Sequence, residues 1–207
     1  MGVRYSGRPR KMRRSTKRII YAVVALLLLC AAVIGGLILK DAAVRREYPL
    51  EYTDLILKYS KEYSLDPVLV ASLIRTESRF RTYAESRVGA LGLMQVMPET
   101  GEWIAGKLGI DNFIPDMLIE PEMNIQMGCW YLYFISERFE DTRVMLAAYN
   151  AGHNAAASWL KEEKYSDDGK TLHTIPYPET DSYVDKVMDA YDYYLRLHRK
   201  ELLPDEE

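Results

Sequence analysis

Twenty-one consecutive residues without a charge, Ile19 to Leu39, set the first constraint on this chain. As an α-helix at about 1.5 Å per residue they span roughly 30 Å, the thickness of a bilayer core. A secretory signal peptide has a shorter apolar region, about 7–15 residues, and ends in small residues at its cleavage site. This run is longer and ends in Leu37, Ile38, Leu39 and Lys40, so it is read as an uncleaved anchor. Residues 1–18 hold eight Arg and Lys and no acid. The positive-inside rule then places the N-terminus in the cytoplasm and everything after Lys40 outside. The expected organisation is a basic cytoplasmic tail over 1–18, an anchor over 19–39 and a charged tether over 40–48. A single domain follows over 49–200, and an acidic tail over 201–207, frayed from Leu203 to Glu207.

From Asp41 to Glu207 there are 18 basic and 30 acidic residues, a net charge of −12. That balance excludes nucleic acid as a partner, because neutralising phosphates needs a basic face. The two cysteines, Cys30 in the apolar run and Cys129 in the exterior part, cannot staple the domain. Its core must hold it, with Cys129 as a small buried apolar residue. About 150 residues suffice for that.

The exterior pattern is helical. Leu50, Leu55, Ile56 and Tyr59 recur at helix spacing from Pro49 onward. Asp66-Pro67 reads as N-cap and first helical position of a helix running to about Phe80. Pro98 and Pro121 open two more. Val144 to Tyr149 is a fourth, stopped by Asn150-Ala151-Gly152. Ala155 to Leu160 is a short helix, and Lys164 to Pro178 a polar loop. The last helix carries Tyr183, Val184, Val187, Tyr191, Tyr194 and Leu195 on one face. Without repeats or alternating strands, the domain is predicted to be mainly α.

On the helix from Pro67, Val70, Leu73, Ile74 and Phe80 form an apolar face. Glu77 falls on it, three after Ile74 and four after Leu73, while Ser72, Arg75 and Arg79 take the other side. Burying a carboxylate is costly. Glu77 is therefore either a helix-end residue that reaches water or an acid held in a poorly solvated cleft. In the second case desolvation raises its pKa, and it can donate a proton near neutral pH. Gly89 to Pro98 is apolar, with two glycines and one amide, Gln95. It reads either as a core-lining loop or as a ligand-binding one, where glycine allows close backbone approach and the amide both donates and accepts.

Four ordered motifs carry a resemblance. They are Glu77-Ser78, then Gly89-Ala90-Leu91-Gly92-Leu93-Met94-Gln95, then Ala148-Tyr149-Asn150-Ala151-Gly152, then Glu179-Thr180 with Tyr183-Val184. Together they resemble the soluble-lytic-transglycosylase-like domain, a lysozyme-like family that cleaves bacterial peptidoglycan. The resemblance covers roughly Pro49 to His198 and implies a lysozyme-like fold. It implies Glu77 as the single catalytic acid/base and Ser86 near the sugar. Gln95 and Met97 would line the glycan cleft. Tyr149 would bond near the glutamate and substrate; at the end of an apolar segment it either buries its ring with its hydroxyl aimed at Glu77 or is a core aromatic whose hydroxyl reaches only water. Asn150 would support that turn, and Glu179 would lie near the cleft. The loop Arg81 to Val88 departs from the commoner pattern through Glu85 and Arg87.

Glycosidases ordinarily need two carboxylates, and spacing offers none beside Glu77 except Glu85, in a loop. The resemblance implies an answer: the muramoyl 6-hydroxyl serves as nucleophile, the acetamido group stabilises the cationic centre, and a 1,6-anhydro ring closes. Neither metal nor cofactor is implied. The expected partners are peptidoglycan strands and, through 19–39, the cell membrane. A goose-lysozyme-like hydrolase and an inactive glycan-binding module are the alternatives. His153, His173 and His198 lack metal-ligand spacing and read as surface or helix-end residues. Most of Tyr183, Tyr191, Tyr193 and Tyr194, among sixteen tyrosines, read as packing of the last helix.

Overall fold

The structure, a computed structural model, describes residues 14–204. The expectations for most of the basic tail, and for Asp205 to Glu207, lie outside the described residues. The chain forms two compact units, one ending at Glu47 and one beginning at Tyr48.

The first unit is one helix, α1 (Arg14–Glu47). From Tyr21 onward it is long and apolar enough to cross a membrane. It does not stop at Leu39. The expected tether is helical to Glu47, because Asp41 to Glu47 contains no Gly or Pro and is built mostly of good helix formers. Arg45 and Asp41 pair across one turn at 2.9 Å. The helix ends just ahead of Tyr48-Pro49, where the residue before proline is pushed out of the helical region.

The second unit holds α2 (Thr53–Glu62), α3 (Pro67–Ser78), α4 (Pro98–Leu108), α5 (Pro121–Ser136), α6 (Thr142–Ala151), α7 (His153–Trp159), α8 (Pro178–Leu197) and α9 (Arg199–Leu202). Among the described residues there are no strands, only isolated bridges at Glu85–Leu91 and Leu91–Val96. The caps follow local chemistry. Asp66 accepts from the Val68 N–H at 2.8 Å, and Asp141 from the Val144 N–H at 2.9 Å.

Several boundaries differ from the periodicity. α2 starts at Thr53, since Tyr52 sits at φ 54°, and the Pro49 carbonyl instead accepts the Tyr194 hydroxyl at 2.5 Å. α3 stops at Ser78, because Arg79 and Phe80 both take positive φ. A 3-10 turn over Pro115–Ile119 and the short α9 carry too few residues for a period to show. Leu202 is 1% exposed, so the chain is packed up to the residue before the stretch expected to fray.

α3 packs chiefly against α8, and α6 against α7 and α8. Val68 to Ile74 are all buried. Ser72, expected on the solvated side, is buried too, with its hydroxyl donating to the Val68 carbonyl at 2.6 Å. α3 is thus a central helix rather than an amphipathic one. Cys129 is fully buried, which pushes its thiol pKa up.

Candidate active site

Glu77 occupies the last turn of α3, where the burial of the helix begins to open. It is partly buried, and loss of solvation pushes its pKa up to about 7. The opposing influence is the Tyr183 hydroxyl on α8, which donates to Oε1 at 2.7 Å and favours the charged form. Among the described residues Oε2 carries no hydrogen bond. A carboxyl group poised this way is about half protonated near pH 7, so it can give a proton and take one back.

Tyr183 was expected to be packing. It is buried on the core face of α8, and that face meets α3 at Glu77, so one ring serves both purposes. Removing its hydroxyl tests this directly. Tyr183→Phe keeps the ring and deletes a bond to a charged acceptor, worth about 1.5 kcal/mol. Glu77 should then hold its proton about tenfold more tightly, and its titration should move to higher pH. Carbon NMR titration of the Glu77 carboxyl measures it; an unmoved or lowered pKa would contradict the assignment.

Tyr149, in the last turn of α6, lies near the same carboxylate. Burial and then the Glu77 charge push both tyrosine hydroxyls well above their ordinary pKa. The Tyr149 hydroxyl donates to the Met94 carbonyl at 3.0 Å rather than to Glu77. The expectation that it is aimed at Glu77 is corrected: its proton ties the 89–97 loop to α6.

That loop is held by backbone and amide bonds. Leu91 and Val96 exchange N–H···O bonds of 3.0 Å each way. Gln95, at φ 50°, spends its amide N–H groups on the Ala84 and Gly92 carbonyls at 3.1 and 2.9 Å. Its side-chain oxygen is what remains for a ligand. Gly92 has φ 77°, and a Cβ there would collide with Asn124 and the Leu118 carbonyl. The close approach this glycine permits is therefore to the protein, not to a ligand. Asn124 on α5 is fully buried and makes three bonds. It accepts from the Met94 N–H at 2.7 Å and donates to the Leu91 and Leu118 carbonyls at 2.8 and 2.7 Å. Nothing in the sequence pattern singled it out.

A pocket of about 220 Å³ opens beside the loop, lined among others by Gln95, Met97, Thr100, Tyr131, Tyr149 and Asn150. Four of the expected residues, Gln95, Met97, Tyr149 and Asn150, therefore meet on one surface. Asn150 is exposed and accepts the Thr180 hydroxyl at 2.8 Å. From the fourth motif it is Thr180 that reaches this turn. Glu179 is exposed on the first turn of α8 and is not among the pocket residues. Ser86 is not among them either. Its hydroxyl accepts from the Ala90 N–H at 2.9 Å and closes the turn before the loop. Glu85 is exposed. His153 starts α7 and His198 ends α8, packed on Phe134 and Tyr194 respectively.

Comparison with known proteins places this geometry. The family described as the transglycosylase SLT domain matches residues 54–172. That span includes Glu77, the loop, Asn124 and Tyr149, and stops short of Glu179 and Tyr183. The soluble lytic murein transglycosylase of Salmonella typhimurium is 35% identical over 156 residues, which are 74% of this chain and 24% of that protein. The membrane-bound lytic murein transglycosylase C of Actinobacillus pleuropneumoniae is 30% identical over 170 residues, covering 71% of this chain and 46% of that protein. An inactive mutant of the lytic transglycosylase Slt from Pseudomonas aeruginosa superposes with a TM-score of 0.64 at 34% identity, over 72% of this chain and 25% of its own. The chain thus spans about a quarter of the soluble relatives' length and about half of the membrane-bound one's. With its matched span running through the glutamate, the loop and the pocket, this chain belongs to the transglycosylase SLT domain family.

Proposed function

We propose that the chain is a membrane-anchored lytic transglycosylase that cleaves the β-1,4 bond between N-acetylmuramic acid and N-acetylglucosamine without water. One observation carries the reading: Glu77 is a partly buried carboxyl with a pKa of about 7, whose one hydrogen bond among the described residues comes from a tyrosine. Protonated Glu77 gives its proton to the glycosidic oxygen as the C1–O bond breaks. The resulting carboxylate takes the proton of the muramoyl 6-hydroxyl as that oxygen closes on C1. The substrate's acetamido group stabilises the cationic centre between the two steps. One carboxyl serves both steps and is returned to its starting state. The reaction balances without a metal or cofactor. Gln95, Met97, Tyr149 and Asn150 would contact the glycan. Ser86 and Glu179 would act further out, Ser86 by holding the loop turn.

A hydrolase would need a second carboxylate to hold water, and Glu85 is exposed. Mass spectrometry of purified peptidoglycan digested with the protein decides. Products one water lighter than hydrolysis products are expected. Hydrated reducing ends would overturn the reading in favour of a muramidase, and intact glycan in favour of a binding module.

One apolar helix and a membrane-bound relative support membrane association. We place the anchor at 19–39, single-pass, with the N-terminus in the cytoplasm and the domain outside. Eight basic residues before the anchor, and no acid, are the basis. The protein should stay in the pellet on alkaline carbonate extraction, and protease added outside spheroplasts should reach the domain. Release by carbonate, or protection of the domain, contradicts that placement.

A further inference from the structure

One aromatic group beside the pocket has no part in the chemistry above. Thr100 lines the pocket, and Trp103 lies three residues further along α4, on the same helix face. The Trp103 ring stands nearly perpendicular to three others. It lies 5.1 Å from Trp130, 4.8 Å from Phe134 and 6.5 Å from Tyr131, centre to centre. Tyr131 is itself a pocket residue. Trp130 and Tyr131 each lie nearly parallel to Phe134. The three rings hold Trp103 upright through edge-to-face contacts, yet it remains 37% exposed. A large ring fixed in place and left open loses little freedom when a ligand settles on it. The neighbouring surface is open as well. A Cβ at Gly106, one turn on, would meet nothing within 4 Å.

We propose that Trp103 forms a stacking subsite for a sugar ring of the glycan strand, next to the pocket along α4. This rests on the pocket being a glycan site. The flat face of a β-linked hexose presents polarised C–H bonds, which meet the electron-rich face of an indole. The neighbouring position of Tyr131 makes this subsite continuous with the pocket. Among the exposed charges of α4 near the ring, Glu99 and Glu102 outnumber Lys107, a balance that opposes docking on an anionic membrane surface. An N-acetylglucosamine ring, which carries no charge, has no such penalty.

The test separates the subsite from the chemistry. Full-length Glu77→Gln protein in detergent is titrated calorimetrically with a disaccharide and a hexasaccharide of alternating N-acetylglucosamine and N-acetylmuramic acid. Gly106→Leu and Trp103→Ala are then added in turn. Helical side chains lean toward the N-terminus, so leucine at 106 covers the Trp103 face without disturbing its packing. Both variants should weaken the hexasaccharide about tenfold and leave the disaccharide unchanged, with the Gly106→Leu melting temperature not lowered. Unchanged hexasaccharide affinity in Gly106→Leu, or an equal loss for both sugars, overturns the subsite. A parent that binds neither sugar overturns the proposed function, and the subsite with it.

Discussion

Glu77→Gln is expected to lower peptidoglycan cleavage by at least about 10²–10⁴-fold while leaving the domain folded. Glutamine keeps the shape and still accepts the Tyr183 hydroxyl, but it has no proton acidic enough to give and no charge with which to take one back. The effect should exceed that of losing an ordinary general acid, because one group serves both steps. Stability moves the other way. Burial raises the folded pKa of Glu77 from 4.5 to about 7, so the folded state binds this proton more tightly than the unfolded chain does. Its contribution is fully present below the unfolded value and is lost as pH rises through about 7. Above that, the parent carries a partly buried carboxylate that the variant does not. Glu77→Gln should therefore melt above the parent at pH 8–9, by about 1–3 kcal/mol, with the difference shrinking toward pH 5. Muropeptide release and melting curves across pH measure both. Activity within tenfold of the parent would remove Glu77 from the chemistry. A variant that melts lower at high pH would mean the carboxylate is stabilised, not strained.

The helices were legible where local chemistry marks them. Asp66-Pro67 and the prolines at 98 and 121 each open a helix at the position that suits proline. Glu77 was legible as an anomaly, a carboxylate on an apolar face. Its two possible roles separated only when α8 was in place, since the Tyr183 contact joins residues 106 apart in sequence. Periodicity can put Tyr183 on a buried face but cannot say which neighbour that face meets. The same limit explains Ser72 and Tyr149. A hydroxyl in a helix pattern gives no sign that its partner will be a carbonyl of its own turn or of a loop 55 residues away. Gly92 showed that something comes close. Whether that was substrate or protein depended on α5, whose buried asparagine looks like any polar residue in a helix.

That asparagine supports the second large effect. Asn124→Ala should lower the melting temperature sharply and loosen the site together with the fold. Its side chain satisfies the Met94 N–H and the Leu91 and Leu118 carbonyls at full burial. Each buried group left without a partner costs about 1–3 kcal/mol. The Leu91 carbonyl keeps the Val96 N–H, so two groups, the Met94 N–H and the Leu118 carbonyl, lose their partner; together they amount to several kcal/mol, against a typical whole-domain stability of about 5–15 kcal/mol. Water entering the vacated space can restore part of this, because the site is polar on three sides. Asn124→Asp is the informative control. It keeps the acceptor for Met94 but replaces a donor by an oxygen facing two carbonyls, so it should destabilise at neutral pH and recover as pH falls and the acid regains a proton to donate. The loop it clamps carries Gln95 and receives the Tyr149 hydroxyl through Met94. Activity at low temperature, where both variants are still folded, should consequently fall as well. Thermal denaturation at pH 5 and pH 8, with turnover measured well below each midpoint, tests the argument. An Asn124→Ala protein as stable as the parent would show that the three bonds are replaced at no cost. Full turnover in a destabilised variant would show that the loop holds the pocket without this clamp.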